Sequence, residues 1–372
     1  MIHVFEPWIG DEEVEAVAQA VRRGEISGSF GEEIPGFESE FGRYVGCAHG
    51  VATTSGTTAL ELAVAVAGIG EGDEVLVSAS TNIATALAAY HNNAVPVPVD
   101  SEDETWNLDL DLIGDLITER TRAIIPVHLF GHPVDMDRLM EIADSHNLLV
   151  IEDCAESHGA TVRGRMTGSF GQMACFSFYA NKVITTGEGG MVTTSDDELA
   201  AELRLLRNLA FQQPRFLHQR PGYNFRMTGY QAAMGRVQLR KIETVIEEKR
   251  RVAHTYNLLF SNVPGIRTPV EKDWARNVYW MYAVTVEDDF PLSRDELMAA
   301  LAERGIESRT FFCPMNMQPF LQQQKGYRQL DCPVAERLWE TGLYLPSGIQ
   351  LSEEAIVRIV EEIRSAAAAA PA

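Results

Sequence analysis

The sequence predicts an α/β fold, with a large domain built on a mostly parallel seven-stranded sheet flanked by helices and a smaller α+β domain after it. Three observations lead there. A chain of 372 residues with 45% hydrophobic content can bury a large core and still supply a second one. From about residue 48 to 195, short β-rich runs alternate with helical patterns, as in parallel strands joined by helical crossovers. Several of these runs are almost wholly apolar, as expected of a sheet covered on both faces.

The elements follow in order. Strands are expected at His49 to Thr53, Glu74 to Ser78, Val95 to Val99, Ala123 to Val127, Leu148 to Glu152, Met173 to Phe178 and Gly190 to Thr193. Between them, Thr57 to Gly68, Asn82 to Asn92, Asp109 to Ile117 and Val134 to His146 have helical length and periodicity. A long helical region, Thr228 to Phe260, bridges into the second domain. There, Val278 to Val286 reads as a strand, Arg294 to Arg304 as a helix, Glu307 to Phe311 as a strand and Glu353 to Ala366 as an amphipathic helix. The domains are placed at 1–245 and 246–372. Pro214 to Gly222 reads as an exposed excursion, and the alanine-rich end, Ala366 to Ala372, is expected to fray.

Composition excludes several functions. A net charge of −22 lacks the basic footprint of a nucleic-acid binder, so any phosphate bound here must be held by backbone amides and individual arginines. Cys47, Cys154, Cys175, Cys313 and Cys332 form no CxxC pair and fit reduced thiols in a cytoplasmic protein. No signal-peptide pattern or membrane-length apolar run is present. Gly70-Glu71-Gly72 lacks the third glycine of a dinucleotide fingerprint, and no GxxxxGK[ST] loop exists. His128 and His132 are the only closely spaced histidine pair with metal-ligand character, and a loop pair without nearby Cys or acidic ligands reads as structural, so no metal is expected.

The candidate chemistry gathers at strand ends, where functional groups of such sheets lie. Lys182 is the only lysine in the first 240 residues, and only lysine offers a primary amine that condenses with a carbonyl to form a Schiff base. Ser55-Gly56-Thr57-Thr58 passes from strand to helix, where free amides and hydroxyls suit a phosphate. Asp153 ends a strand where a carboxylate can face a protonated pyridine nitrogen. Ser177 alternates with Phe176 and Phe178 and offers a second phosphate donor. Each has a plain alternative: a surface lysine, an ordinary N-cap, a loop aspartate, a half-buried strand serine. Together they are the parts needed to hold pyridoxal phosphate. A lysine acting as a base must first lose affinity for its proton, and a pocket of Phe176, Phe178 and Tyr179 is expected to help by desolvation.

Beyond these residues, the chain resembles the sugar aminotransferases of the fold-type-I pyridoxal-phosphate superfamily (DegT/DnrJ/EryC1/StrS type), and within them the GDP-perosamine synthase-like branch. The resemblance runs through Ser55-Gly56-Thr57, Pro126 to Pro133, Ile151 to Glu156, Phe176-Ser177-Phe178, Asn181 to Met191 and Gly222 to Thr228. It implies a homodimer with shared active sites that moves an amine from L-glutamate to a nucleotide-linked 4-keto-6-deoxy sugar. It implies that Lys182 bonds the cofactor and shuttles protons, and that Asp153 holds the ring nitrogen protonated. Glu156 would lie by the cofactor's phenolic side, with Gly56, Thr57 and Ser177 on its phosphate. Asn224 would reach the phosphate of the neighbouring subunit, and Tyr223, Arg226 and Asn316 are the substrate-contact candidates.

The chain departs from the pattern twice. Asn82 stands where most relatives place an aromatic ring over the pyridine, and Asn316 where perosamine-type relatives carry a histidine near the sugar. These departures leave open another keto substrate, such as a keto-cyclitol, or a different sugar carbon. The retained Lys182 argues against the sister enzymes that replace it with histidine to deoxygenate sugars. A third reading, a fold kept for binding cofactor or sugar without turnover, sits poorly with the intact Lys182, Asp153 and Ser177 set.

Overall fold

The computed structural model describes residues 1–370. Its central sheet has seven strands: β1 (His49–Thr53), β2 (Glu74–Ser78), β3 (Val95–Val99), β4 (Thr121–Ile125), β5 (Leu149–Asp153), β6 (Met173–Ser177) and β7 (Gly190–Thr194). They lie in the order β1-β7-β6-β5-β4-β2-β3. Every residue of β2, β3, β6 and β7 is buried, as helices on both faces require. β3 alternates valine with Pro96 and Pro98 and sits at the sheet edge, where a strand tolerates the missing amides.

The sheet is mostly parallel, as expected: strands β2 to β6 run parallel, and β7 runs antiparallel between β1 and β6. Residues 178–189 join β6 to β7 without a helix to carry the chain back along the sheet, and an antiparallel neighbour needs no such crossover. Helices α1 (Asp11–Arg22), α2 (Glu33–Val45), α3 (Gly56–Val66), α4 (Ala84–His91), α5 (Met136–Ser145) and α6 (Asp197–Arg207) cover this sheet or flank it. The expected helix at Asp109 to Ile117 shortens to a 3₁₀ turn and the single turn Ile113–Leu116. Helices α1, α2 and α6 escaped the sequence reading altogether.

The expected long helix at 228–260 is two helices, α7 (Gly229–Arg240) and α8 (Ile242–Phe260), jointed at Lys241. Lys241 Nζ donates to Glu13 Oε1 at 3.0 Å and pins the joint to α1. The expected domain boundary at 245 falls inside α8. Beyond it, a four-stranded antiparallel sheet joins β8 (Ile266–Arg267), β9 (Tyr282–Val286), β10 (Arg309–Thr310) and β11 (Gly342–Leu345), in the order β8-β9-β11-β10. Helices α9 (Arg294–Glu303), α10 (Pro333–Thr341) and α11 (Glu353–Ala369) pack around it. Tyr256 of α8 stacks on Tyr282 at 4.5 Å in this smaller core.

Strand β9 starts at Tyr282 rather than the expected Val278, because Val278 leaves the small sheet to donate its amide to Gly131 O (3.2 Å). That detour carries Trp280 to the large sheet's edge. The strand expected at 307–311 pairs only over Arg309–Thr310, and α10 and β11 were not anticipated. The alanine-rich end, expected to fray, is helical to Ala369, with Ala366 buried; residues 371–372 lie outside the described residues. The excursion expected at Pro214 to Gly222 is exposed over 214–221, with Gly222 half-buried. No helix among the described residues is long and apolar enough to cross a membrane.

Candidate active site

Because β5 and β6 run parallel, Asp153 and Ser177, the last residues of each, emerge at one edge of the sheet. Strand β1 delivers α3 to the same edge. A Cβ on Gly56 would lie 2.7 Å from Ser177 Cβ, so only glycine lets the first turn of α3 close on that serine. The amides of Gly56 and Thr57 find no backbone acceptor among the described residues, as expected at a helix start. Ser55 Oγ accepts from Thr58 N at 3.2 Å and Thr58 Oγ1 accepts from Ser55 N at 3.0 Å, a reciprocal cap. The N-cap and the anion site therefore coexist. Thr58, expected to offer its hydroxyl outward, is engaged in the cap, whereas Gly56, Thr57 and Ser177 line the cavity.

Lys182 follows β6 by five residues, and its side chain is 11% exposed. Its Nζ lies 4.0 Å from Glu156 Oε1 and 3.8 Å above the Trp280 ring. Burial lowers the lysine's pKa and pushes the Glu156 carboxyl up to about 7, against the attraction between them. Glu156 Oε2 accepts from the Phe130 amide at 2.8 Å. Asp153 accepts from Thr85 Oγ1 at 2.8 Å and from Ala155 N at 3.1 Å, yet burial still raises its pKa. The desolvation does not come from Phe176 and Phe178. Side chains on β6 alternate faces, so both phenyl groups point away from Ser177 into a cluster with Phe41 and His158. Of the three expected rings only Tyr179 lines the cavity; Trp280 shields the lysine.

The cavity measures about 350 Å³ and collects Gly56, Thr57, Asn82, Asp153, Glu156, Ser177 and Lys182. Asn181 Oδ1, also on its lining residues, is buried without a partner. Orphan helix amides beside a serine, a buried carboxylate and a desolvated amine make a donor set suited to a phosphorylated pyridine aldehyde. Asn82 offers no ring; its Oδ1 accepts from Ala84 N at 3.1 Å.

Four expected residues lie elsewhere. Asn224 is exposed, Arg226 Nη1 donates to Asn208 Oδ1 at 2.8 Å, and Tyr223 stacks on Phe225 at 4.7 Å. Asn316 is buried, and its Nδ2 donates to Glu336 Oε1 at 2.6 Å and Leu330 O at 3.2 Å. His128 and His132 hold loops: His128 Nδ1 accepts from Val134 N at 3.1 Å and His132 Nε2 from Lys272 N at 3.2 Å. The sequence reading missed Thr85, Trp280, Arg309 and Tyr344. Thr85 sat within a predicted helix next to the flagged Asn82 and was findable, but the other three come from the small sheet and its approach and carry no local motif.

Residues 7–364 match the DegT/DnrJ/EryC1/StrS aminotransferase family. The chain is 42% identical over 364 residues to a GDP-perosamine synthase of Caulobacter vibrioides, covering 96% of each. It is 39% identical to the dTDP-3-amino-3,4,6-trideoxy-alpha-D-glucose transaminase of Streptomyces venezuelae, over 90% of this chain and 87% of that one. Its fold superposes on S. venezuelae DesV, solved in complex with a ketimine intermediate, with a TM-score of 0.89 at 38% identity, covering 96% of this chain and 94% of that one. With Lys182, Glu156 and Asp153 gathered at one sheet edge, the chain belongs to the DegT/DnrJ/EryC1/StrS aminotransferase family and is a pyridoxal-phosphate-dependent aminotransferase.

Proposed function

We propose that this aminotransferase moves the amino group of L-glutamate to a nucleotide-linked keto sugar of the 4-keto-6-deoxyhexose type, in amino-sugar biosynthesis. The observation that carries it is the desolvated amine of Lys182 set 4.0 Å from Glu156 in a cavity floored by Asp153 and the first turn of α3. The relatives supply the substrate class. When bound, pyridoxal phosphate supplies an electron sink for the carbon that loses a proton.

The residues divide the remaining work. The amides of Gly56 and Thr57 and the hydroxyl of Ser177 would hold the phosphate, and the Asp153 carboxylate would keep the pyridine nitrogen protonated. The Lys182 amine, with its proton affinity lowered by burial, takes up and returns protons, first on the donor's carbon and then on the sugar's. Glu156 sits 4.0 Å from the amine, its carboxylate balances the charge of the protonated lysine, and it would lie on the cofactor's phenolic side. Asn224 is exposed and, like the half-buried Tyr223 and Arg226, lies outside its own cavity, which supports a homodimer in which this segment completes the neighbour's site. Asn316 is buried outside the cavity and bonded to Glu336, which argues against a substrate contact in its own protomer. Five free cysteines and the nucleotide-sugar substrate support a cytoplasmic setting.

A second reading, a cyclic ketone without a nucleotide, is kept by Asn82, which lines the cavity where a stacking ring is expected. One experiment addresses both. Protein loaded with pyridoxal phosphate should be yellow, glutamate should bleach it, and a nucleotide-linked keto sugar should restore the colour. Bleaching by glutamate with no nucleotide sugar able to reverse it would select the second reading, and indifference to glutamate would remove both.

A further inference from the structure

The chain carries a net charge of −22, and Asp153, Glu156 and Glu188 line the cavity. A doubly charged diphosphate therefore enters against the average field and needs a local cation. Besides Lys182, the lining offers one, Arg309 on the edge strand β10. Its Nε and Nη2 donate to Glu307 Oε1 at 3.3 and 3.1 Å. Glu307 is itself fixed by the Val4 amide and His3 Nδ1, each at 3.2 Å. Two of the five N–H donors thus aim the guanidinium and leave the rest of its fork for a ligand.

Depth decides which ligand. Lys182 is 11% exposed and Arg309 is 56% exposed, so the amine lies deep and the guanidinium lies at the mouth. Glutamate's α-carboxylate is one bond from its reacting carbon and must stay deep with the amine. A sugar whose keto carbon meets Lys182 instead trails its diphosphate outward. Resting on the sugar-transaminase reading above, we propose that Arg309 grips the diphosphate of the nucleotide-linked sugar and separates that substrate from the amino donor.

The test runs the two half-reactions separately on cofactor-loaded Arg309→Gln and Arg309→Lys, with the melting temperature of each as a check on folding. Arg309→Gln should raise KM for the nucleotide sugar roughly tenfold to thirtyfold, the loss of a charge-assisted bidentate contact, with kcat nearly unchanged. The glutamate half-reaction should stay within about twofold, and Arg309→Lys should recover part of the loss. In cofactor-free protein, a plain nucleoside diphosphate should bind more weakly to Arg309→Gln by a similar factor. A raised KM for glutamate instead would give the arginine to the donor's carboxylate and overturn the proposal, as would unchanged constants for both substrates. If wild-type protein transaminates nothing, the sugar-transaminase reading fails on its own, and nucleoside diphosphate binding still decides the role of Arg309.

Discussion

The cavity has two walls with different origins. One is built from strand ends of the large sheet: the α3 turn after β1, Asp153 closing β5, Ser177 closing β6, and Lys182 five residues on. The other is Trp280, Arg309 and Tyr344, brought in by the small sheet and the detour before β9. The first wall presents the groups that hold and move protons, fixed by a buried parallel sheet. The second presents an indole, a guanidinium and a phenol on an edge that is partly exposed. The contrast assigns chemistry to the rigid wall and substrate discrimination to the other, and it predicts that mutations in the two walls will differ in size and kind.

The largest effect belongs to the first wall. Lys182→Ala should cost about 10³-fold or more in turnover, the loss of both the covalent anchor and the proton shuttle. The variant should keep its melting temperature and fail to be fixed to the cofactor by borohydride. A variant that retains a tenth of wild-type activity would break the assignment of chemistry to this wall. Next, Asp153→Asn should lower kcat about 10²-fold, because a neutral amide no longer holds the ring nitrogen protonated. Its KM for the nucleotide sugar should hardly move, the reverse of the pattern expected for Arg309.

A smaller effect is read as stability. Burial lifts the Glu156 carboxyl from an ordinary 4.5 to about 7 in the cofactor-free protein. Between those values the folded state holds a proton that the unfolded chain has released. Stability from this group is thus complete below about pH 4.5 and is lost as pH rises through about 7. Glu156→Gln removes the dependence. Relative to that variant, cofactor-free wild-type protein should lose on the order of 2 kcal/mol between pH 5 and 8, by denaturant titration. A difference that grows in the opposite direction would mean that Lys182 holds the carboxylate charged, and would weaken the picture of a desolvated pair.

The same contrast explains what was legible beforehand. The strands β1, β2 and β3 fall on the residues expected of them, because turn residues bracket them closely, whereas β4, expected at 123–127, runs Thr121–Ile125. Asp153, Glu156, Ser177 and Lys182 were legible because each sits within a few residues of a strand end and so inherits its position. Phe176 and Phe178 turn away from the cavity because neighbours of an inward serine on a strand face the other way. Trp280 had no such signal. Its place depends on Val278 crossing to Gly131, a pairing 147 residues apart in sequence that no local pattern announces. Thr58 caps α3 instead of facing the cavity, and a hydroxyl in a cap and one facing a ligand have the same sequence context. Helices α1 and α2 were missed although α1 opens with three acidic residues, a standard start signal.

Trp280 also offers the sharpest test of whether the walls are separable. Its Nε1 donates to Asn181 O at 2.6 Å, its carbonyl accepts from the buried Lys249 Nζ at 2.8 Å, and its ring lies 3.8 Å from Lys182 Nζ. It thus belongs to the second wall by origin and touches the first wall's amine. A ring there favours the charged lysine, while its bulk excludes water and favours the neutral one. Trp280→Phe keeps a ring but loses the bond to Asn181, and should cost only about threefold in kcat. Trp280→Ala should cost about tenfold in kcat, admit water, and move the alkaline limb of the kcat–pH profile by letting Lys182 regain proton affinity. If both variants leave that limb in place and raise only the KM for the sugar, the indole belongs wholly to discrimination and the two walls act independently. If the limb moves with Trp280→Ala, the second wall sets the basicity of the first wall's amine, and the division between chemistry and recognition runs through Trp280 rather than between the sheets.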